Sequence, residues 1–78
     1  MTAAIYLDKF ERKNGTILLY AHGTQFIVTT AQRIRADLVW ATESVRSSMD
    51  DAIKEFKKHQ ECIMSRGHCV GDKTYLTR

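Results

Sequence analysis

The chain has no proline. No turn is therefore preset by a fixed φ, and punctuation falls to glycine and Asx residues. Glycine is itself scarce, with Gly15, Gly23, Gly67 and Gly71 the whole supply. Cysteine is limited to Cys62 and Cys69, too few for the disulfide framework that holds small secreted domains together. No apolar run approaches the roughly 20 residues of a membrane-spanning helix. The N-terminus lacks the basic-then-apolar layout of a secretory signal. These absences point to a cytoplasmic protein with reduced thiols, off the membrane. No Walker loop, GxGxxG, HExxH or paired-carboxylate motif is present, so nucleotide and metalloprotease chemistry has no foothold.

What is there fits one small domain spanning 1–78. Seventy-eight residues with 44% hydrophobic and 27% charged content suit a globular fold with a thin core. The formal net charge is +3. Its lysines and arginines are interleaved with acids: Lys9, Arg12 and Lys13 beside Asp8 and Glu11, and Lys54, Lys57 and Lys58 beside Asp50, Asp51, Glu55 and Glu61. That pattern reads as a solvated surface ahead of a phosphate-binding patch.

The clearest architecture is an N-terminal antiparallel three-stranded meander. Strands are expected at roughly 4–11, 16–21 and 24–30. Asn14-Gly15 between two apolar runs signals a hairpin, because a type I′ turn needs positive φ at both central residues; His22-Gly23 is a weaker second signal. Phe10 breaks the alternation of strand one, which suggests a bulge near Asp8-Lys9. Ile17, Leu19 and Ala21 share one face of strand two and Leu18 and Tyr20 the other, so both faces are apolar.

Residues 31–46 are open between helix and strand. Helix has the better local case: Thr29 to Gln32 fits a capping box, and Ile34, Leu38, Ala41 and Val45 recur at helical spacing. The rival is a fourth strand from about residue 37 to residue 45. A C-terminal helix is plainer. Ser48 is a natural cap with Asp50 and Asp51 in the first turn. Met49, Ala52, Ile53, Phe56, Gln60 and Ile63 form one stripe, and Gly67 is the expected C-cap. Residues 74–77 either add an edge strand or trail loosely. The fold class is α+β: a meander of three strands, or four, followed by one or two helices on one sheet face.

The most distinctive cluster is His59, Cys62, His68 and Cys69. Four N/S groups in this span are enough for tetrahedral zinc, but the spacing matches no standard finger. A short disulfide, or no chemical role, competes with it. Cys62 beside His59 could pair nucleophile and base, yet nothing supplies an oxyanion hole. The reading therefore assigns no catalytic residue, no metal and no cofactor, and no enzyme activity.

Partner binding is the better expectation. One helical layer covers one face of a sheet that is apolar on both. Tyr6, Leu18, Tyr20 and Ile27 then fall on the other face, with Phe10 nearby on the meander. Trp40 is a contact anchor if it is exposed and core if its segment is a strand. Arg33 and Arg35 beside the aromatics suit single-stranded nucleic acid, with Lys57 and Lys58 adding charge. In size and style the chain resembles the short orphan proteins of phages and mobile elements. That resemblance implies an inhibitor that blocks a host protein, such as a CRISPR defence complex, by steric occlusion. The expected contact set is Tyr6, Phe10, Tyr20, Arg33, Arg35, Trp40, Lys57 and Lys58, toward a protein partner, with nucleic acid and a second copy of the chain as further candidates.

Overall fold

The computed structural model describes residues 3–77. Five strands and one helix run in the order β1 (Ile5–Arg12), β2 (Gly15–His22), β3 (Gln25–Arg35), β4 (Leu38–Arg46), α1 (Met49–Met64) and β5 (Lys73–Thr77). The strands form one antiparallel sheet in the order β1-β2-β3-β4-β5. α1 lies across β2, β3 and β4 on one face. Among the described residues no helix is long and apolar enough to cross a membrane.

Residues 31–46, open between helix and strand in the sequence, are strand, and the alternative at about 37–45 is β4. β3 runs on to Arg35, Ala36-Asp37 makes the turn, and β4 pairs back along it from Arg35↔Leu38 to Phe26↔Arg46. Ile34, Leu38, Ala41 and Val45 satisfy a helical period, but Thr29, Thr30, Val39, Trp40, Thr42 and Val45 are β-formers. Partners distant in sequence decide between them. The Gln32 side chain, read locally as a capping-box residue, is buried; its Nε2 donates to Gly67 O at 2.8 Å and its Oε1 accepts from Cys69 N at 2.8 Å. β5 then adds the fifth strand, an outcome left open against a loose tail.

Both hairpin signals mark turns, for different reasons. Gly23 has φ 64° with Thr24 following it in the turn, the pattern of a type II′ hairpin. The first turn is Lys13-Asn14, not Asn14-Gly15, and among the described residues none of these has positive φ. Gly15 is instead the first residue of β2, where α1 leaves no room. A Cβ there would lie 2.9 Å from Ile63 Cδ1, 3.1 Å from Gln32 Cγ and 3.3 Å from Ala31 O.

The core is Ile17, Leu19, Val28, Ala52, Phe56, Ile63 and Cys69, with Phe10, Phe26 and Cys62 packed against it. Ser48 caps α1, its Oγ accepting from Asp51 N at 3.2 Å. The buried stripe of α1 is Ala52, Glu55, Phe56, His59 and Ile63. Its phase is rotated from the expected stripe, leaving Met49 and Ile53 more than one-third exposed.

The helix ends one residue earlier than Gly67 suggests. Ser65 is the cap, and Arg66 takes the left-handed position at φ 62°. Gly67 N donates to Cys62 O at 2.8 Å and Arg66 N to Ile63 O at 3.1 Å, the paired bonds of a Schellman motif. A Cβ in that conformation is strained, so Arg66→Gly is expected to stabilise the fold by about 0.5–1 kcal/mol. A higher urea midpoint at unchanged slope is the result that checks it.

Candidate interaction surface

Directly opposed residues of antiparallel strands share a face, so the register fixes what the sheet shows on each side. The face away from α1 carries a row Tyr6–Tyr20–Ile27–Val45. Beside it runs Lys9–Leu18–Thr29–Glu43–Lys73, and then Glu11–Thr16–Ala31–Ala41–Tyr75. No element covers this face among the described residues. Tyr6 and Tyr75 stand out at 59% and 45% exposure, while Leu18, Tyr20, Ile27 and Val45 are half-buried against their neighbours. The small side chains of Ala31 and Ala41 leave a shallow hollow of about 250 Å³, bordered by Leu18, Glu43 and Tyr75. Partial burial and the nearby Glu43 carboxylate raise the Tyr20 pKa, so its phenol stays protonated.

The sequence-predicted contact residues do not form one patch. Tyr6, Tyr20 and Arg33 lie on the uncovered face; Arg33 opposes Val39 there. Phe10 lies on the helix face against the core, because β1 bulges. Leu7 is the extra residue between Tyr6 and Asp8, earlier than Asp8-Lys9. The insertion shifts the phase, so Lys9 and Glu11 join Tyr6 while Phe10 turns inward. Trp40 also lies on the helix face. Its Nε1 donates to Cys69 O at 2.7 Å and its ring stacks on His68 at 5.1 Å, which makes it a clamp on the 67–72 segment. Arg35 pairs with Asp37 at the β3–β4 turn, 3.2 Å away. Lys57 and Lys58 are on the solvent side of α1, remote from the open face.

A polar chain joins the helix to the sheet. Thr30 Oγ1 and His59 Nδ1 are 2.8 Å apart, and His59 Nε2 and Glu55 Oε2 are 3.0 Å apart. Ser44 Oγ donates to the same Glu55 oxygen at 3.0 Å, and Arg46 reaches it at 3.5 Å. Arg46 also donates to Asp72 Oδ2 at 2.8 Å, as does Val45 N at 3.0 Å. Burial pushes the Glu55 carboxyl up, but the hydrogen bonds from His59 and Ser44 and the charges of His59 and Lys58 together hold it below its ordinary value. Asp72 is likewise lowered, first by the Val45 N–H and then by Arg46. An ionised Glu55 can only accept, so His59 Nε2–H donates to it. His59 is 1% exposed, and this chain therefore serves structure rather than a substrate.

The four His/Cys residues border one small hollow of about 110 Å³, with Cys62 beside Cys69, but they do not form a ligand set. His59 is in the buried chain, His68 is stacked on Trp40, and Cys69 is buried with its Sγ 3.6 Å from His59 O. Among the described residues no group of three or more His, Cys, Asp or Glu is placed to hold a metal ion. Both cysteines are free thiols. Burial, then the adjacent Cys62 and Glu55, push Cys69 up to about 12. It stays a thiol at neutral pH, an unreactive form.

Sequence reasoning missed Val45 and Tyr75 on the open face, since both depend on strands assigned only by pairing. It also missed a basic end. Lys13, Arg33 and Arg66 border one open hollow of about 330 Å³. Arg12, Lys13 and Arg33 border another of about 390 Å³. These cations come from three separate segments, so no local charge run announces them. No family model matches the chain, and no curated protein or solved structure is significantly similar to it.

Proposed function

We propose that the protein is a non-enzymatic binding module whose uncovered sheet face seats a protein partner and blocks it by occlusion. The observation that carries this reading is the Tyr6–Tyr20–Ile27–Val45 row beside the hollow floored by Ala31 and Ala41. Tyrosine-rich, half-desolvated apolar patches with a polar rim are what protein interfaces are built from. Lys9, Glu43 and Lys73 supply charges of both signs across the middle of that face. An inhibitor carried by a phage or mobile element against a host protein, such as a CRISPR defence complex, is one form of such an occluder.

The test is capture from host lysate with tagged wild type and a Tyr6→Ala/Tyr20→Ala variant. Two interface aromatics at about 1–2 kcal/mol each predict at least a tenfold loss of the captured partner. Equal recovery of the same partner by a variant with wild-type circular dichroism removes the reading.

The basic end favours a second reading, a nucleic-acid contact through Lys13, Arg33 and Arg66 rather than through Lys57 and Lys58. Binding of single-stranded DNA that weakens steeply with salt, and is lost in Arg33→Ala/Arg66→Ala, supports it over the first.

A further inference from the structure

β1 is an outer strand of the sheet, with no strand beyond it among the described residues. It is long, and Ile5 and Tyr6 are 63% and 59% exposed. Such an edge is a template for another chain unless charge or distortion blunts it. The bulge at Leu7 interrupts its first half. Its second half, Asp8-Lys9-Phe10-Glu11-Arg12, is charged at every position but the middle one. Read backwards, the segment carries the opposite charge at each of those positions.

We propose that β1 is a self-association edge. Two copies pair their β1 strands antiparallel about a two-fold axis through Phe10, forming one continuous ten-stranded sheet. Lys9 then meets Glu11 of the second copy, and Asp8 meets Arg12, each twice by symmetry. Faces match as well. A two-fold normal to the sheet brings like faces together; Lys9 and Glu11 share the uncovered face, and Asp8, Phe10 and Arg12 share the helix face. Moving the axis one residue either way stacks Lys9 on Lys9 or Glu11 on Glu11. Moving it half a residue opposes the two faces. Charge therefore selects one register and repels its neighbours. Within one chain Lys9 Nζ already lies 3.4 Å from Glu11 Oε1, and Arg12 sits 4.9 Å over the Phe10 ring. In the pair the first contact becomes part of a four-charge cluster, and the second shields the two phenylalanines. Exposed ion pairs are individually weak, so the dimer is concentration-dependent. The inference rests on β1 and not on the partner-binding reading of the sheet face.

Sedimentation equilibrium over a concentration series tests it. Wild type is expected to show a monomer–dimer equilibrium that weakens with added salt. Lys9→Glu and Glu11→Lys each set like charges against each other at two places, and each should raise the dissociation constant about tenfold or more. The double variant Lys9→Glu/Glu11→Lys restores opposite charges and should return dimerisation to near the wild-type level. Both side chains are about half exposed or more, so the monomer fold is kept, which circular dichroism verifies. A wild type that stays monomeric throughout overturns the proposal. So does a double variant no tighter than the singles, or growth beyond the dimer, which would signal β1 pairing onto β5 of the next copy.

Discussion

Replacing Glu55 with alanine is expected to destabilise the protein by about 3 kcal/mol, a large share of what a chain of this size has. The carboxylate is the hub of the helix–sheet polar chain. Its Oε2 accepts from Ser44 Oγ and His59 Nε2 and faces Arg46. Alanine leaves a 1%-exposed imidazole without its acceptor, and the desolvation cost of that group is then uncompensated. Arg46 keeps Asp72 at 2.8 Å, so the loss centres on His59 and Ser44. Glu55→Gln retains one acceptor oxygen and should cost distinctly less. Urea unfolding of the three proteins at pH 7 checks this ranking. A Glu55→Ala midpoint within error of wild type would mean that the chain contributes nothing net.

The same site predicts an acid limb. Glu55 and Asp72 both have lowered pKa values in the fold. Such groups bind fewer protons folded than unfolded, so their contribution is present above the ordinary carboxylate range. It is lost as pH falls from the ordinary carboxylate range through their lowered folded values. The stability gap between wild type and Glu55→Ala should therefore narrow on acidification. A gap that widens there contradicts the assignment of Glu55 as the ionised acceptor.

The parts of this fold written in short-range chemistry were legible. Alternation in β2 and β3, the Ser48 cap and the helix it starts all follow from neighbours a few residues apart, whereas the face pattern of β1 changes phase at Leu7. The parts that failed depend on distant neighbours. Ile34, Leu38, Ala41 and Val45 satisfy two periods at once, and what favours strand is Gln32 bridging to Gly67 and Cys69 and Trp40 reaching Cys69 O. The phase of α1 was missed because Glu55 and His59 look like surface residues until Thr30 and Ser44 are placed beneath them. Ala52, Phe56 and Ile63 fit a stripe completed by Met49, Ile53 and Gln60 as well as one completed by Glu55 and His59, so helical spacing alone does not choose the phase. The open face was partly legible, since Tyr6, Leu18, Tyr20 and Ile27 follow from alternation. Its other half, Val45 and Tyr75, required β4 and β5. Phe10 left the expected contact set through a single inserted residue.

Gly15→Ala is expected to cost about 1–3 kcal/mol, and the way that cost can be relieved separates two explanations of the glycine. If Gly15 served a type I′ turn, the penalty would come from its own φ, and no change elsewhere in the chain would ease it. Its φ is not positive here, and the obstruction is steric: a Cβ at Gly15 falls 2.9 Å from Ile63 Cδ1. That methyl is the end of a side chain on α1, and Ile63→Val removes it. In wild type, Ile63→Val opens a small void in the core at about 1 kcal/mol. In the Gly15→Ala background the same change clears the clash, so it should cost little or be stabilising. The double-mutant cycle should thus show a favourable coupling of about 1 kcal/mol between residues 48 positions apart in sequence. Recovery stays partial, because Gln32 Cγ at 3.1 Å and Ala31 O at 3.3 Å still crowd the new methyl. Additive single effects in the cycle would return Gly15 to the turn and deny it a part in seating the helix.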